Sequence, residues 1–215
     1  SALPAVKSPV MKILFAHQNF PGQYRHLAIH LAAVPGNQVV AITQRRDMQL
    51  PGVKNIVYKP QRGVTPQMHH YLRKTEADLL NAQSVARAAL ELKRSGFVPD
   101  IMLGHNGWGE ILYLKDVFPQ TPLLGYFEFF YRFSGADVGF DPGEALTFDT
   151  APRIRTKNLG NLLGLDAADA GQCLGIAFRP MHEAVNASPA ALRLAIEPAT
   201  RSVRWRGSGS SWRCG

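Results

Sequence analysis

Cysteine is nearly absent, with Cys173 and Cys214 the two in 215 residues. Two such residues, far apart, make neither a disulfide framework nor a four-ligand zinc site. They suit a reducing, cytosolic setting. Long apolar runs are missing too. No stretch approaches the roughly 18 apolar residues that a spanning helix needs. The opening SALPAVKSPV has no apolar core of the kind a secretory signal carries. It reads as a disordered lead-in over 1–10, with Met11 as a plausible natural start. No internal repeat is visible, and the glycine fingerprints of dinucleotide sites and P-loops do not occur.

Acidic residues are scarce against basic ones, 16 to 24, which gives a net charge of +8. The excess is not spread evenly. Residues 179–215 hold six Arg against two Glu, while residues 11–178 hold 17 basic against 14 acidic residues. The body is only mildly basic, so specific nucleic-acid binding is not expected of it. Three regions follow: a lead-in over 1–10, one folded domain over 11–178, and an atypical basic tail over 179–215. The tail's ending, rich in Arg, Ser, Gly and Trp, has no period that would predict structure.

Within the body, short apolar runs alternate with helical spacings. MKILFA (11–16), QVVAIT (38–43), VKNIVY (53–58), DIMLGH (100–105) and TPLLGYFEFF (121–130) predict strands. Tyr24, Leu27, Ala28, Leu31 and Ala32 predict a helix that stops at the Pro-Gly-Asn of 35–37. A longer periodic stretch runs from Pro66 to about Ser95, with Thr65 as its cap and Gly96 as its stop. Unbroken it would span roughly 45 Å, so a kink or two helices is expected. Residues 111–118 predict a short helix, and 153–170 a helix leading into a further strand. Continuous apolar strands alternating with helices predict an α/β fold: a Rossmann-like parallel sheet with helices on both faces.

In such sheets ligands sit beyond the carboxyl ends of the strands. The first strand ends in HQNFPGQ and the fourth in GHNGWGE, so both polar, glycine-bearing loops fall on one edge. Asn19, Phe20, Pro21, Gly22 and Gln23 open a helix whose unpaired N–H groups suit a phosphate or a sugar oxygen, or they form a plain strand-to-helix turn. His105 can orient a hydroxyl or take a proton; the competing reading is a satisfied structural histidine. Asn106, Gly107 and Trp108 continue that loop. Glu110 either bonds a sugar hydroxyl or complements a helix dipole. Glu128 and Arg132 flank an aromatic run and either pair across a helical turn or face the cleft. His69 and His70 fall on the long helix without a third ligand, and Asp137 and Asp141 fit no calcium loop, so no metal site is expected.

Five segments in order carry a resemblance: MKILFAHQNFPGQYRHLA, PDIMLGHNGWGE, LKDVFPQTPLLGYFEFFYR, GADVGFDP and RTKNLGNLLGLDAADAG. Together, from Met11 to Gly171, they resemble the N-terminal domain of family-4 retaining glycosyltransferases. The resemblance implies a GT-B architecture in which this half holds the acceptor and a second half holds a nucleotide-sugar. It implies transfer of a sugar to an acceptor hydroxyl with retention, as in polysaccharide biosynthesis. His105 would lie near the reacting sugar, and the loop 20–23 near the donor phosphates. No metal or resident cofactor is implied, since the nucleotide-sugar is a co-substrate. The partners would be that donor, a glycan or lipid-linked acceptor, and a C-terminal donor domain. A cytoplasmic enzyme is implied, with peripheral contact at the cytoplasmic face of a membrane left open.

The paired glutamates of the family's donor domain are not found after Gly171, where Glu183 and Glu197 stand fourteen apart. The chain is therefore expected to be inactive alone, and its ending to reflect truncation or a changed reading frame. The alternative readings are a non-catalytic carbohydrate- or nucleotide-binding module, or an inactive fragment.

Overall fold

The computed structural model describes residues 10–133, 147–173 and 202–204. The lead-in up to residue 9, Asp137, Asp141, Glu183, Glu197, Cys214 and most of the basic tail lie outside the described residues. Strands β1 (Lys12–Ala16), β2 (Gln38–Thr43), β3 (Val53–Val57), β4 (Ile101–His105), β5 (Leu123–Phe127), β6 (Ala170–Cys173) and β7 (Ser202–Arg204) form one sheet. Their order is β3-β2-β1-β4-β5-β6-β7. Six strands run parallel, and β7 joins β6 antiparallel. The strand at 202–204 falls inside the tail for which the sequence predicted no structure; its three residues carry no periodicity long enough to read.

Alternation along the strands splits the core in two. Ile13, Phe15, Val39, Ala41, Ile101 and Leu103 face one side, where Ala28 of α1 (Arg25–Ala33) meets them. Leu14, Ala16, Val40, Ile42, Met102 and Leu123 face the other. There they meet α2 (Arg73–Arg94), α3 (Leu114–Val117) and α5 (Leu159–Ala167), preceded by α4 (Thr150–Thr156). Each fully enclosed side chain of this size stabilises the fold by about 1.5–3 kcal/mol. The Rossmann-like sheet covered on both faces is therefore present as expected.

Four elements differ from the sequence reading. Helix α2 is one continuous helix, but it begins at Arg73 rather than Pro66. Thr65 does not cap it. Its N–H and its Oγ1 both donate to the carboxylate of Glu76, in the first turn of α2, at 2.8 Å. That tie folds residues 65–72 into turns, which hold His69 and His70 ahead of the helix. Helix α3 is confined to four residues. The stretch 153–170 holds two helices, broken where Asn158 gives its side chain to the backbone of Tyr131 on both sides. Residues 128–133 are not helical, so Glu128 and Arg132 do not pair across a turn.

Candidate functional site

The strand order reverses between β1 and β4, where the chain leaves β1 leftward and returns to β4 rightward. Such a switch point opens a crevice at the strand ends. Register pairs Ala16 with Gly104, so the next residues, His17 and His105, stand beside each other. Their ring centroids are 4.9 Å apart. The two loops that the sequence placed on one edge thus meet at one rim.

Both imidazoles are held the same way. His17 Nδ1 accepts the N–H of Asn19 at 2.8 Å, and His105 Nδ1 accepts the N–H of Gly107 at 2.8 Å. In each ring Nε2 therefore carries the proton. His17 Nε2 donates to Gln23 Oε1 at 2.9 Å, and His105 Nε2 donates to Glu128 Oε2 at 3.2 Å. Trp108 stacks on His105 at 4.8 Å, and Tyr126 leans on it at 5.3 Å. Burial lowers both histidines to about 4, helped for His17 by the neighbouring His105 and for His105 by the Lys74 ammonium. The pair is neutral at physiological pH. It sits in a polar aromatic nest rather than a dry apolar pocket.

Two glycines make room for the rings. A Cβ on Gly22 would stand 2.8 Å from His17 Nε2, and one on Gly107 would stand 2.5 Å from His105 Cε1. Gly22 also has φ +41°, a conformation that side chains disfavour. The glycine of the first loop is thus required by its turn and by the histidine beside it.

The remaining candidates divide. Asn19 and Gln23 are exposed, Gly107 and Trp108 half-buried, and Glu128 half-buried against His105. Phe20 is enclosed against Phe15 in the core, behind a cis peptide to the buried Pro21. Asn106 is buried and donates to Gly160 O and Asn161 Oδ1 on α5. Arg132 is half-buried. Glu110 is fully enclosed. Its Oε1 accepts the N–H of Gln18 at 2.8 Å and the hydroxyl of Tyr58 at 3.2 Å. In this structure Glu110 reaches no surface where a sugar could meet it; it ties the first loop, the end of β3 and the fourth loop together. Burial raises its carboxyl to about 7, with the Gln18 N–H and the Tyr58 hydroxyl acting the other way. Behind the nest, Lys74 Nζ lies 2.6 Å from Asp78 Oδ2 and donates to Gly107 O at 3.1 Å.

His17 and Lys74 are the residues that sequence reasoning missed. For His17 a signal was available: a histidine stands just past β1 and another at the end of β4, each followed by an amide residue, in His-Gln-Asn and His-Asn-Gly. Lys74 gave none, being one exposed-looking cation on a long polar helix. Among the described residues no group of three or more His, Cys, Asp or Glu could hold a metal ion. A groove of about 450 Å³ between α3 and α5 and another of about 480 Å³ beside β3 do not reach the histidines.

The fold is that of a Rossmann-like α/β domain whose two histidine loops meet at its switch point. Comparison with known families identifies it further: the model of the glycosyl transferase family 4 group matches residues 35–174, so the chain belongs to that family. A search of curated proteins returned no match. Among solved structures, a UDP-glucosyltransferase from Polygonum tinctorium is similar with a TM-score of 0.48 and 10% identity, over 97% of this chain and 53% of that one. Os79 from O. sativa, in complex with UDP and deoxynivalenol-3-glucoside, is similar at 0.48 and 11% identity, over 76% of this chain and 47% of that one. A DNA/pantothenate metabolism flavoprotein from Streptococcus pneumoniae matches at 0.36 and 12% identity, over 94% and 90%. The chain spans about half the length of the first two of these structures.

Proposed function

We propose that this chain is the acceptor-side half of a retaining glycosyltransferase that moves a sugar from a nucleoside diphosphate to an acceptor hydroxyl. The observation that carries the reading is the family match over residues 35–174. The meeting of the two polar loops at the switch point supports it, because that is where an open α/β sheet takes its ligand. In this reading His105 orients groups near the reacting sugar, and Gly107, Trp108 and Glu128 shape the wall beside it. Asn19, Gln23 and the loop between them support the donor side, and Arg132 lies at the margin. A nucleotide-sugar serves as co-substrate, transfer needs no metal, and the setting is cytoplasmic with an acceptor that is a glycan or a lipid-linked glycan. Turnover requires a donor domain across the cleft, since catalysis depends on both walls.

The test is calorimetric titration of the chain with glycans and with uridine and guanosine diphosphate sugars, with sugar transfer assayed alongside. Binding of glycans without turnover is the expected result, and chelation of metals should change nothing. Failure to bind any glycan or nucleotide-sugar would overturn the reading.

A further inference from the structure

His17 has no role in the reading above, yet its surroundings are those of a ligand contact. Its ring is buried, but its one N–H donor, on Nε2, is answered by the side chain of Gln23, an exposed residue in a loop. Gly22 lies directly against that nitrogen, where a Cβ would stand 2.8 Å from Nε2, and among the described residues no side chain but that of Gln23 bonds it. The neighbouring His105 presents its own Nε2–H to Glu128, and the Glu128 charge also reaches His17. Two N–H donors and one carboxylate acceptor therefore meet within one small patch.

We propose that His17 is a second ligand-contacting residue, and that the patch it forms with His105 and Glu128 grips a hydroxyl group of a sugar. The hydroxyl oxygen accepts from His17 Nε2–H in place of Gln23, and its proton is donated to Glu128. Charge decides against a phosphate in this spot. Glu128 is anionic, the two imidazoles are neutral, and the nearby Lys74 is already paired with Asp78. A hydroxyl both accepts and donates, so it satisfies imidazole and carboxylate together, which a fully ionised phosphate, with no proton to donate, cannot do. The inference rests on the acceptor-side reading, because it is that reading that brings a sugar to this rim.

Nitrogen-15 labelling of the histidines tests it in the intact chain. Tautomer and hydrogen bonding of each imidazole are read from its two ring nitrogens while methyl hexosides, and separately UDP, are added at millimolar concentration. The expected result is a hexoside that shifts the Nε2 signals of both His17 and His105, while UDP alone leaves them in place. Gly22→Ala, whose methyl would press on the His17 ring beside Nε2, should weaken that hexoside about tenfold, the effect of one lost hydrogen bond. If no hexoside moves the His17 signal, or if UDP moves it instead, the proposal is overturned. Glycan binding by calorimetry with an unmoved His17 signal would overturn this proposal alone; binding of neither glycan nor nucleotide-sugar would overturn the acceptor-side reading as well.

Discussion

At the scale of single residues, three buried titratable groups set opposing demands at the rim. His17 and His105 titrate near 4 in the fold against about 6.5 when unfolded. Between those values the unfolded chain binds more protons, so their contribution is complete above about 6.5 and is lost as pH falls toward 4. Glu110 behaves the other way. Its carboxyl titrates at about 7 in the fold against about 4.5 when unfolded, so the fold holds the extra proton and stability falls as pH rises through that window. Two histidines outweigh one glutamate, and the net trend from about pH 4.5 to 6.5 is upward. Glu110→Gln should remove the opposing part, because the amide stays neutral at every pH. Urea unfolding at pH 5 and pH 8 measures this. The variant should gain on the native chain between the two, by on the order of a few kcal/mol. A difference that does not change with pH would show that Glu110 is not strained by ionising. Glu110 Oε2 finds no hydrogen-bond partner among the described residues, which agrees with a carboxyl poorly suited to carrying charge.

Among elements, α5 depends on its glycines. Gly160 and Gly164 lie one turn apart, Gly160 against Asp78 of α2 and Gly164 against Asn106 in the loop after β4. A Cβ on Gly160 would stand 2.7 Å from Asp78 Oδ2, and one on Gly164 would overlap the amide of Asn106. Helix propensity alone makes Gly164→Ala favourable by about 1 kcal/mol. Overlap with a buried, doubly bonded amide costs roughly 1–3 kcal/mol, and Asn106 cannot swing away without leaving Gly160 O and Asn161 Oδ1. The packing term wins, so the variant should melt several degrees lower in a thermal scan. A higher melting temperature would mean that α5 is free to slide over the β4 loop. The outward face of the same helix carries Leu159, Leu162 and Leu163 in solvent-exposed positions.

For the whole molecule, the basic tail and the histidine rim are separable, although the tail also supplies the edge strand β7. The body carries a small excess of positive charge, and residues 179–215 carry six Arg with two Glu. Removing 179–215 should therefore abolish retention on DNA at moderate salt, if the intact chain shows any, because such retention follows the number of neutralised phosphates. It should leave the glycan binding proposed for the rim unaffected, since β1, β4 and β5 and both histidine loops lie within the body. DNA retention that survives the deletion would place a basic site on the sheet domain itself. No helix among the described residues is long and apolar enough to cross a membrane.

The amino-acid sequence by itself determined the alternation of apolar strands and helices, and with it the covered parallel sheet, because burial on two faces demands continuous apolar runs. It also determined that two glycine-bearing loops would share an edge, since strand direction fixes which ends coincide. Tertiary structure alone decided what stands in those loops. Glu110 looked like a surface acid at a helix start and is enclosed as a tie, because Gln18 and Tyr58, 92 and 52 residues away in sequence, close over it. Thr65 looked like a cap and spends its hydroxyl on Glu76. His17 passed unnoticed because its meaning lies in a neighbour 88 positions along the chain, set beside it by the register of β1 on β4. Periodicity records which way a side chain faces, whereas only long-range pairing settles what it faces.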